Sequence, residues 1–273
     1  MELLQFTKVL PGGNTTILIE SSVPLSLRPA LSKKILDGKL LEGEQVGFVM
    51  EPKAADADVR LEMMGQELCI NAIRSLSALL FSRDKTKNTL RIESSGTDTV
   101  ILCHNRMEGE DIYTGVELTV KNRVEIREEK SLVSLDGIAH IVCQTDLSHD
   151  DAHHHSAFMA ASDLFESELA YYAAYGYMPY DHLDEHVSTF KPIVYVKDTN
   201  STIFETGCGS GTIATAIVRF LEEGVETTVM RQPSGYDYVT RIHRTTDNSL
   251  HISLESIVRI LEEGSINIEN IDK

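Results

Sequence analysis

Two segments about half a chain apart repeat one layout, in which a cysteine stands directly before an apolar pattern with helical spacing. The segments are ELCINAIRSLSALLF and TGCGSGTIATAIVRF, and they align at Cys69 and Cys208. In the second segment apolar residues recur at Ile213, Ala216 and Ile217, which is the spacing of one face of a helix. We therefore predict two similar halves, each of which places a cysteine at the N-terminus of a helix.

The rest of the chain reads mostly as short strands. Runs such as TTILIE, TVILCH and PIVYV alternate with turn residues. Helical patterns cover residues 27–36, 71–83, 161–177 and 209–223. The segment ISLESIVRILEEGSINIE alternates with period two and contains a Glu-Gly turn, so we interpret it as a hairpin, although LESIVRILEEG also fits a helix. The prediction is an α+β fold with halves at residues 1–122 and 123–273, the last strand packing back on the first half.

The charge of the chain limits the classes of partner that it is expected to bind. Lysine and arginine number 25 against 42 aspartates and glutamates, which gives a formal net charge of −17 at pH 7. No basic cluster is dense enough to hold a phosphate backbone, so we predict no nucleic-acid partner. No apolar run approaches the ~20 residues that span a bilayer, and MELLQFTKVLPGG lacks the pattern of a secretory signal. We expect a cytoplasmic protein with no membrane contact.

The four cysteines, Cys69, Cys103, Cys143 and Cys208, are far apart and form no Cys-x-x-Cys pair or zinc-ligand spacing. In a reducing compartment they are expected to be thiols. Cys103 and Cys143 lie inside strand patterns, and we predict that both are ordinary structural side chains.

The histidines give no clear metal site. HDDAHHHS at residues 149–156 has the composition of one, but its neighbouring histidines lack the spacing that would bring them to one ion. His182 and His186 lie four positions apart and are interpreted as structural as well. We predict no metal. Because no lysine stands in a recognisable pyridoxal context, we also predict no cofactor.

A cysteine at a helix N-terminus has a definite chemical use. The positive end of a helix favours a thiolate over a thiol, and its unpaired N–H groups bind carboxylates. With two such helices, one thiolate can remove the α-proton of an amino acid while the other thiol donates a proton to the opposite face. The N–H groups of Asn71, Gly209 and Ser210 stand at the offsets that would stabilise the developing charge. We therefore predict that Cys69 and Cys208 are the catalytic pair.

Two other function classes stay open on the residues alone. The segment FETGCGSGT by itself resembles the S-adenosylmethionine loop of a methyltransferase. Few residues follow it, however, and they read as strands without the helices that would complete a doubly wound sheet. A non-catalytic relative that binds an amino acid without exchanging its α-proton would carry the same segments.

Along nearly its whole length the chain resembles the diaminopimelate epimerase family of pyridoxal-independent amino-acid racemases and epimerases. The matching segments are LPGGNTTILIE, EGEQVGFV, GQELCINAIRS, DGIAHIVC, FETGCGSGT and RQPSGYDYV. The resemblance implies two pseudo-symmetric halves, each a curled, mostly antiparallel sheet around a central helix, with the site in the cleft between them. It also implies that Asn14 contacts substrate, and that Glu44 and Gln45 are the family's acid and glutamine before a strand.

Further side chains are candidates for the site. Glu44 would hydrogen-bond an imidazole or ammonium of the substrate, or else be a surface carboxylate. Glu205 would hold the substrate ammonium, or else cap the turn that follows it. His140 would orient the site or be a structural histidine. Ile70 stands where the family has glycine, so it keeps a backbone N–H near the substrate but adds bulk.

Two departures from the family bear on the substrate. Diaminopimelate epimerases carry Glu-Arg-Gly before the second cysteine, and here STIFETGC has no arginine; Ile138 also replaces the asparagine of their Gly-Asn-Pro-His. A second carboxylate would therefore lose its partners. Within the family the chain most resembles histidine racemases of opine-metallophore pathways, which share GNxTIL, EQVGF and QPxG. This resemblance implies interconversion of L- and D-histidine, with diaminopimelate or diaminopropionate as alternative substrates and a homodimer as the candidate assembly.

Overall fold

The computed structural model of the chain describes residues 3–121, 124–184, 187–198 and 200–267. It divides into two compact units. The first runs to Val116 and takes in the chain again from Ile257, and the second is Glu117–Ser256. Strands dominate both units, which confirms a sheet-rich α+β fold with few helices.

The first unit contains a buried central helix among short strands. Its elements are β1 (Leu3–Leu10), β2 (Thr16–Ile19), α1 (Arg28–Leu36), β3 (Gln45–Met50), β4 (Val59–Met63), α2 (Ile70–Arg83), β5 (Thr89–Ser94), β6 (Ile101–Glu108) and most of β7 (Asp111–Val120). Pairing alternates along the sheet: β1–β2 is antiparallel, β2–β3 parallel, β3–β4 antiparallel, β4–β5 parallel and β5–β6 antiparallel.

The second unit repeats this order of pairing. Its elements are β8 (Val124–Arg127), β9 (Lys130–Leu135), β10 (Ile138–Gln144), α3 (Asp151–Leu164), α4 (Glu166–Leu169), β11 (Ala174–His182), β12 (Val187–Phe190), β13 (Ile193–Val196), β14 (Ser201–Phe204), α5 (Gly209–Glu223), β15 (Thr227–Arg231), β16 (Asp237–Arg244) and the first part of β17 (Leu250–Asn267). The pairs β9–β10, β10–β11, β11–β12, β12–β15 and β15–β16 are antiparallel, parallel, antiparallel, parallel and antiparallel in turn. The mostly antiparallel strands around α5 are not the doubly wound parallel sheet that the methyltransferase alternative requires.

The central helices α2 and α5 are buried on nearly all sides. Every residue of α5 from Gly209 to Arg219 is buried. The sequence predicted burial of only one face of this helix. Polar side chains inside both helices donate hydrogen bonds to backbone carbonyls one turn earlier. The Thr212 hydroxyl donates to the Cys208 carbonyl over 2.7 Å, and the Ser75 hydroxyl donates to the Asn71 carbonyl over 2.8 Å. A helix rich in Ser and Thr can therefore sit in a core.

The helix predicted for residues 161–177 is correct only in its first half, where α3 ends and α4 follows, and wrong from Ala174 onward. The chain forms α3 ten residues earlier, where the Asp150 carboxylate accepts the His153 N–H over 2.9 Å and caps the helix. The residues from Ala174 form β11 instead, because the aromatic run AYGYMPY suits a strand between β10 and β13. The helix starts inside the polar segment HDDAHHHS, which has no apolar periodicity to indicate a helix.

The hairpin predicted for the C-terminal segment is also wrong, because β17 is one continuous strand. Its first part pairs with β16, and its last part pairs with β1. Gly264 does not adopt the left-handed conformation that a Glu-Gly turn would use. It lies directly opposite Phe6, where a side chain would meet the aromatic ring.

We expect the substitution Gly264→Val to destabilise the first unit. A Cβ at this position would lie 2.9 Å from Cε1 of Phe6, which is buried. Overpacking of this kind costs about 1–3 kcal/mol of unfolding free energy. Urea unfolding would measure it, with Ser265→Val on the neighbouring exposed position as control. Equal midpoints for the two variants would contradict the expectation.

Candidate active site

In the first unit, Cys69 is the N-cap of α2, as predicted. Its backbone is extended, with φ −121° and ψ 102°, and Sγ accepts the Ala72 N–H over 3.4 Å. The thiol donates to Oε1 of Gln45 over 3.0 Å. Cys69 itself is half-buried, so the sulfur is held at the helix end with one backbone donor and one side-chain acceptor.

The Gly-Gly-Asn turn ahead of β2 is fixed by neighbours of this cysteine. Asn14 is buried and adopts a left-handed φ of 57°, which asparagine tolerates better than most residues. The Glu44 carboxylate accepts the Thr15 N–H over 2.6 Å, and Gln45 donates through Nε2 to the Thr16 hydroxyl. Glu44 thus holds the backbone next to the turn.

Arg74, which the sequence did not single out, anchors the same region. It is fully buried on α2, and its guanidinium donates to the carbonyl of Pro11 over 3.1 Å and to Oδ1 of Asn71 over 3.3 Å. The Asn71 side chain is oriented by this contact. Ile70, the first residue of α2, is buried as well.

In the second unit, Cys208 is the N-cap of α5. Its backbone has φ −126° and ψ 107°, close to that of the first cysteine, and Sγ accepts the Gly211 N–H over 3.3 Å. The Ser210 hydroxyl lies 3.7 Å from the sulfur. A Cβ on Gly211 would lie 3.0 Å from this sulfur and 2.3 Å from Sδ of Met178, so any side chain here would displace Met178 and press on the sulfur.

Glu205 lies beside Cys208 and changes its ionisation. Burial raises the pKa of the Cys208 thiol well above its usual range, and the charge of the Glu205 carboxylate and its hydrogen bond to the thiol raise it further. Two donors, the Gly211 N–H and Ser210, oppose this by favouring the thiolate. Cys208 is therefore held as a thiol in this environment.

His140 lies behind Ser210. Its Nε2 is 2.9 Å from the Ser210 hydroxyl, and burial lowers the pKa of His140 to about 3, so the ring is neutral. A Cβ at Gly176 would meet Nδ1 of this histidine at 2.6 Å. The histidine thus belongs to the Cys208 surroundings.

Gln232 is a further residue of this site that the sequence interpretation missed. It is buried, and its Oε1 accepts the Cys208 N–H over 2.9 Å while its Nε2 donates to the Thr212 hydroxyl over 3.1 Å. In the sequence it stands out only as the first residue of the QPxG segment. A polar side chain directly after an alternating strand was the signal that could have found it.

The remaining candidates lie outside these two clusters. Cys103 is buried, and desolvation raises its pKa to about 12, whereas Cys143 is half-buried beside the Tyr177 hydroxyl at 3.4 Å. His182 lies 3.1 Å from the Ser188 hydroxyl, and His186 falls outside the described residues.

Residues 151–156 form the start of α3, and the ring of His149, which precedes the helix, stacks on that of His153 with the ring centroids 4.1 Å apart. Within residues 3–121, 124–184, 187–198 and 200–267, no group of three His, Cys, Asp or Glu side chains is placed to hold a metal ion. In the same part of the chain, no helix is long and apolar enough to cross a membrane.

Two solved structures superpose on nearly the whole chain at low sequence identity. A hydroxyproline epimerase from Agrobacterium vitis superposes with a TM-score of 0.69 at 10% sequence identity, covering 97% of this chain and 93% of that one. A phenazine biosynthesis PhzF family protein from Enterococcus faecalis gives 0.61 at 12% identity, covering 98% and 100%. At these identities the likeness establishes the fold alone.

Sequence comparison establishes the class. The histidine racemase of Fusobacterium nucleatum is 29% identical over 98% of this chain and 98% of its own, and that of Staphylococcus aureus is 22% identical over 98% and 99%. The protein is an isomerase, an amino-acid racemase. It belongs to the histidine racemase CntK N-terminal domain family, whose sequence model matches residues 3–267.

We expect Gly211→Ala to lower both stability and racemase activity. The added methyl would collide with Met178 and press on the Cys208 sulfur, at a cost of about 1–3 kcal/mol of unfolding free energy. The double variant Gly211→Ala with Met178→Ala should recover stability but not full activity, because the contact with the sulfur remains. Thermal unfolding and racemisation assays would test this, with Met178→Ala alone as control. Wild-type activity in Gly211→Ala would contradict it.

The buried histidine should make stability depend on pH. The folded pKa of about 3 lies below the unfolded value of 6.5, so His140 stabilises the fold fully above pH 6.5 and loses this contribution as pH falls toward 3. Within that window the unfolded chain binds one extra proton, worth about 1.4 kcal/mol per pH unit. Urea unfolding of His140→Gln from pH 4 to pH 7 should show a slope smaller by this amount. His155→Gln, at an exposed histidine, is the matched control, and equal slopes in all three proteins would refute the assignment.

Proposed function

We propose that the protein interconverts L- and D-histidine without a cofactor, and that Cys69 and Cys208 exchange the α-proton. The observation that carries the proposal is that each cysteine caps a buried central helix, with a backbone N–H directed at its sulfur. The histidine substrate is supported by the family description and by the named relatives. Diaminopimelate and diaminopropionate are the alternative substrates.

In this mechanism one sulfur is a thiolate and the other a thiol. The thiolate removes the α-proton, electrons move into the substrate carboxylate, and the thiol donates its proton to the opposite face of the same carbon. The product is the mirror image, and the proton now lies on the other cysteine. The reverse reaction starts from that state, so each sulfur alternates between the two forms.

The developing charge on the substrate carboxylate needs hydrogen-bond donors. The first residues of a helix have N–H groups without partners inside the helix. We propose that the N–H groups of Ile70 and Asn71 in α2, and of Gly209 and Ser210 in α5, supply these donors. The other proposed substrate contacts are Asn14, Glu44 and Glu205. Glu44 also holds the backbone beside Asn14, because its carboxylate accepts the Thr15 N–H.

Glu205 has a second proposed part in this mechanism. Its carboxylate receives the hydrogen bond of the Cys208 thiol and favours the protonated form, which is the form that donates. The free enzyme would then hold Cys208 as the acid. Cys69, whose sulfur accepts an N–H at the helix end, would be the base in that state.

The finer fold description belongs to the same proposal. We propose that the two units are pseudo-symmetric halves of the diaminopimelate epimerase type, each a curled sheet around its central helix. The shared order of strand pairing supports this. A homodimer and a role in metallophore biosynthesis stay predictions of the sequence resemblance.

We expect Cys69→Ala and Cys208→Ala each to reduce racemisation of histidine by about 10³-fold or more, because each removes a group that transfers a proton. Proton NMR in D₂O would follow α-proton exchange and optical rotation would follow racemisation, with Cys143→Ala as the matched control. Retained racemisation in both single variants would refute the two-thiol mechanism. Exchange with diaminopimelate or diaminopropionate, but not histidine, would keep the mechanism and replace the substrate.

A further inference from the structure

Cys69 begins a chain of hydrogen bonds that all point in one direction. Its thiol donates to Oε1 of Gln45 over 3.0 Å, Nε2 of Gln45 donates to the Thr16 hydroxyl, and that hydroxyl donates to the Asn14 carbonyl over 3.3 Å. Gln45 is 6% exposed and Thr16 is fully buried. Their polar atoms must therefore be satisfied inside the protein rather than by bulk water.

Loss of the Cys69 proton makes this direction unfavourable. The amide oxygen of Gln45 would then face a thiolate, which can accept hydrogen bonds but cannot donate one. The two ends of a primary amide have nearly the same shape and opposite hydrogen-bonding character. Rotation of the amide by 180° lets Nε2 donate to the sulfur and lets Oε1 accept the Thr16 hydroxyl. Gln45 and Thr16 keep their bond to each other in both arrangements, and only its direction changes.

We propose that Gln45 is a positioning residue for Cys69, whose amide accepts from the thiol, donates to the thiolate, and reverses each time the proton moves. The inference rests on the proposed function, in which every turnover changes the protonation of Cys69. The reversal also releases the Thr16 hydroxyl from the Asn14 carbonyl. The charge of the sulfur is thereby coupled to the Gly-Gly-Asn turn, which holds a candidate substrate contact.

Other charged groups lie beside the residues of this chain of hydrogen bonds. Glu67 lies two residues before it and is buried, Glu44 is bound to the Thr15 N–H, and Arg74 is bound to backbone carbonyls on several elements. These groups are unchanged when variants of Gln45 are compared, so their common contribution cancels. The comparison therefore isolates the amide.

The test measures alkylation of Cys69 by iodoacetamide as a function of pH, by peptide mass spectrometry, in a Cys208→Ala background. Gln45→Glu has the same shape but, once ionised, only accepts, so the pH of half-maximal alkylation should rise by one unit or more, which is tenfold slower alkylation below that pH. Gln45→Met, which neither donates nor accepts, should give a smaller rise. Thr16→Ser keeps the hydroxyl and should leave the profile unchanged.

Two results would overturn the inference. One is an unchanged midpoint in Gln45→Glu. The other is an equal loss of alkylation at every pH in Gln45→Glu and Gln45→Met, which is what a purely structural role produces. Because alkylation is read without racemisation, this result is independent of whether Cys69→Ala loses activity, and failure of the proposed function is distinguished from failure of the inference.

A second measurement reads the titration on the unsubstituted chain and uses a Gln45 variant only to assign one signal. The chain has five glutamines, so ¹⁵N-glutamine labelling gives few side-chain amide signals. The Gln45 signal, identified by its absence in Gln45→Met, should shift at the pH where Cys69 becomes reactive. It should not shift there in Cys69→Ala. A Gln45 signal that ignores this pH would overturn the proposal.

Discussion

Burial of a helix N-terminus is the constraint on which the site in each unit depends. The first turn of a helix leaves N–H groups without intrahelical partners, and a buried turn must find acceptors for them. In α2 and α5 one of these groups is accepted by the sulfur of the cysteine that caps the helix. The same bond that satisfies the helix N–H fixes the sulfur and favours its anion, so in the proposed mechanism one contact has both a structural and a chemical role at Cys69 and Cys208.

The two cysteines share this cap but not their surroundings. Gln45 accepts a hydrogen bond from the thiol of Cys69. Gln232 instead accepts one from the backbone N–H of Cys208, whose sulfur contacts Glu205 and Ser210. A carboxylate favours the protonated sulfur, while a neutral amide can serve either form. The proposed two-thiol mechanism requires opposite protonation states of the two sulfurs at one moment, and the Glu205 carboxylate favours the thiol form at Cys208.

Sequence patterns predicted the parts of the fold that local chemistry decides. α5 has the predicted bounds because its periodicity, the cysteine before it and the left-handed Gly224 after it all agree. The C-terminal strand was misinterpreted because the extended conformation of Gly264 depends on its partner Phe6, which is distant in sequence. Gln232 was missed for the same reason, since its partners become neighbours only after folding.

Arg74 binds the strand by which the chain returns to the first unit. A buried guanidinium needs several acceptors, and besides Pro11 and Asn71 it donates to the carbonyl of Ile257 over 3.3 Å. That carbonyl belongs to β17, so the last strand helps satisfy the charge that orients Asn71. The strand therefore contributes to the site through a backbone atom alone. A comparison of side chains would overlook this contribution, because any residue except one that breaks the strand can supply a carbonyl there.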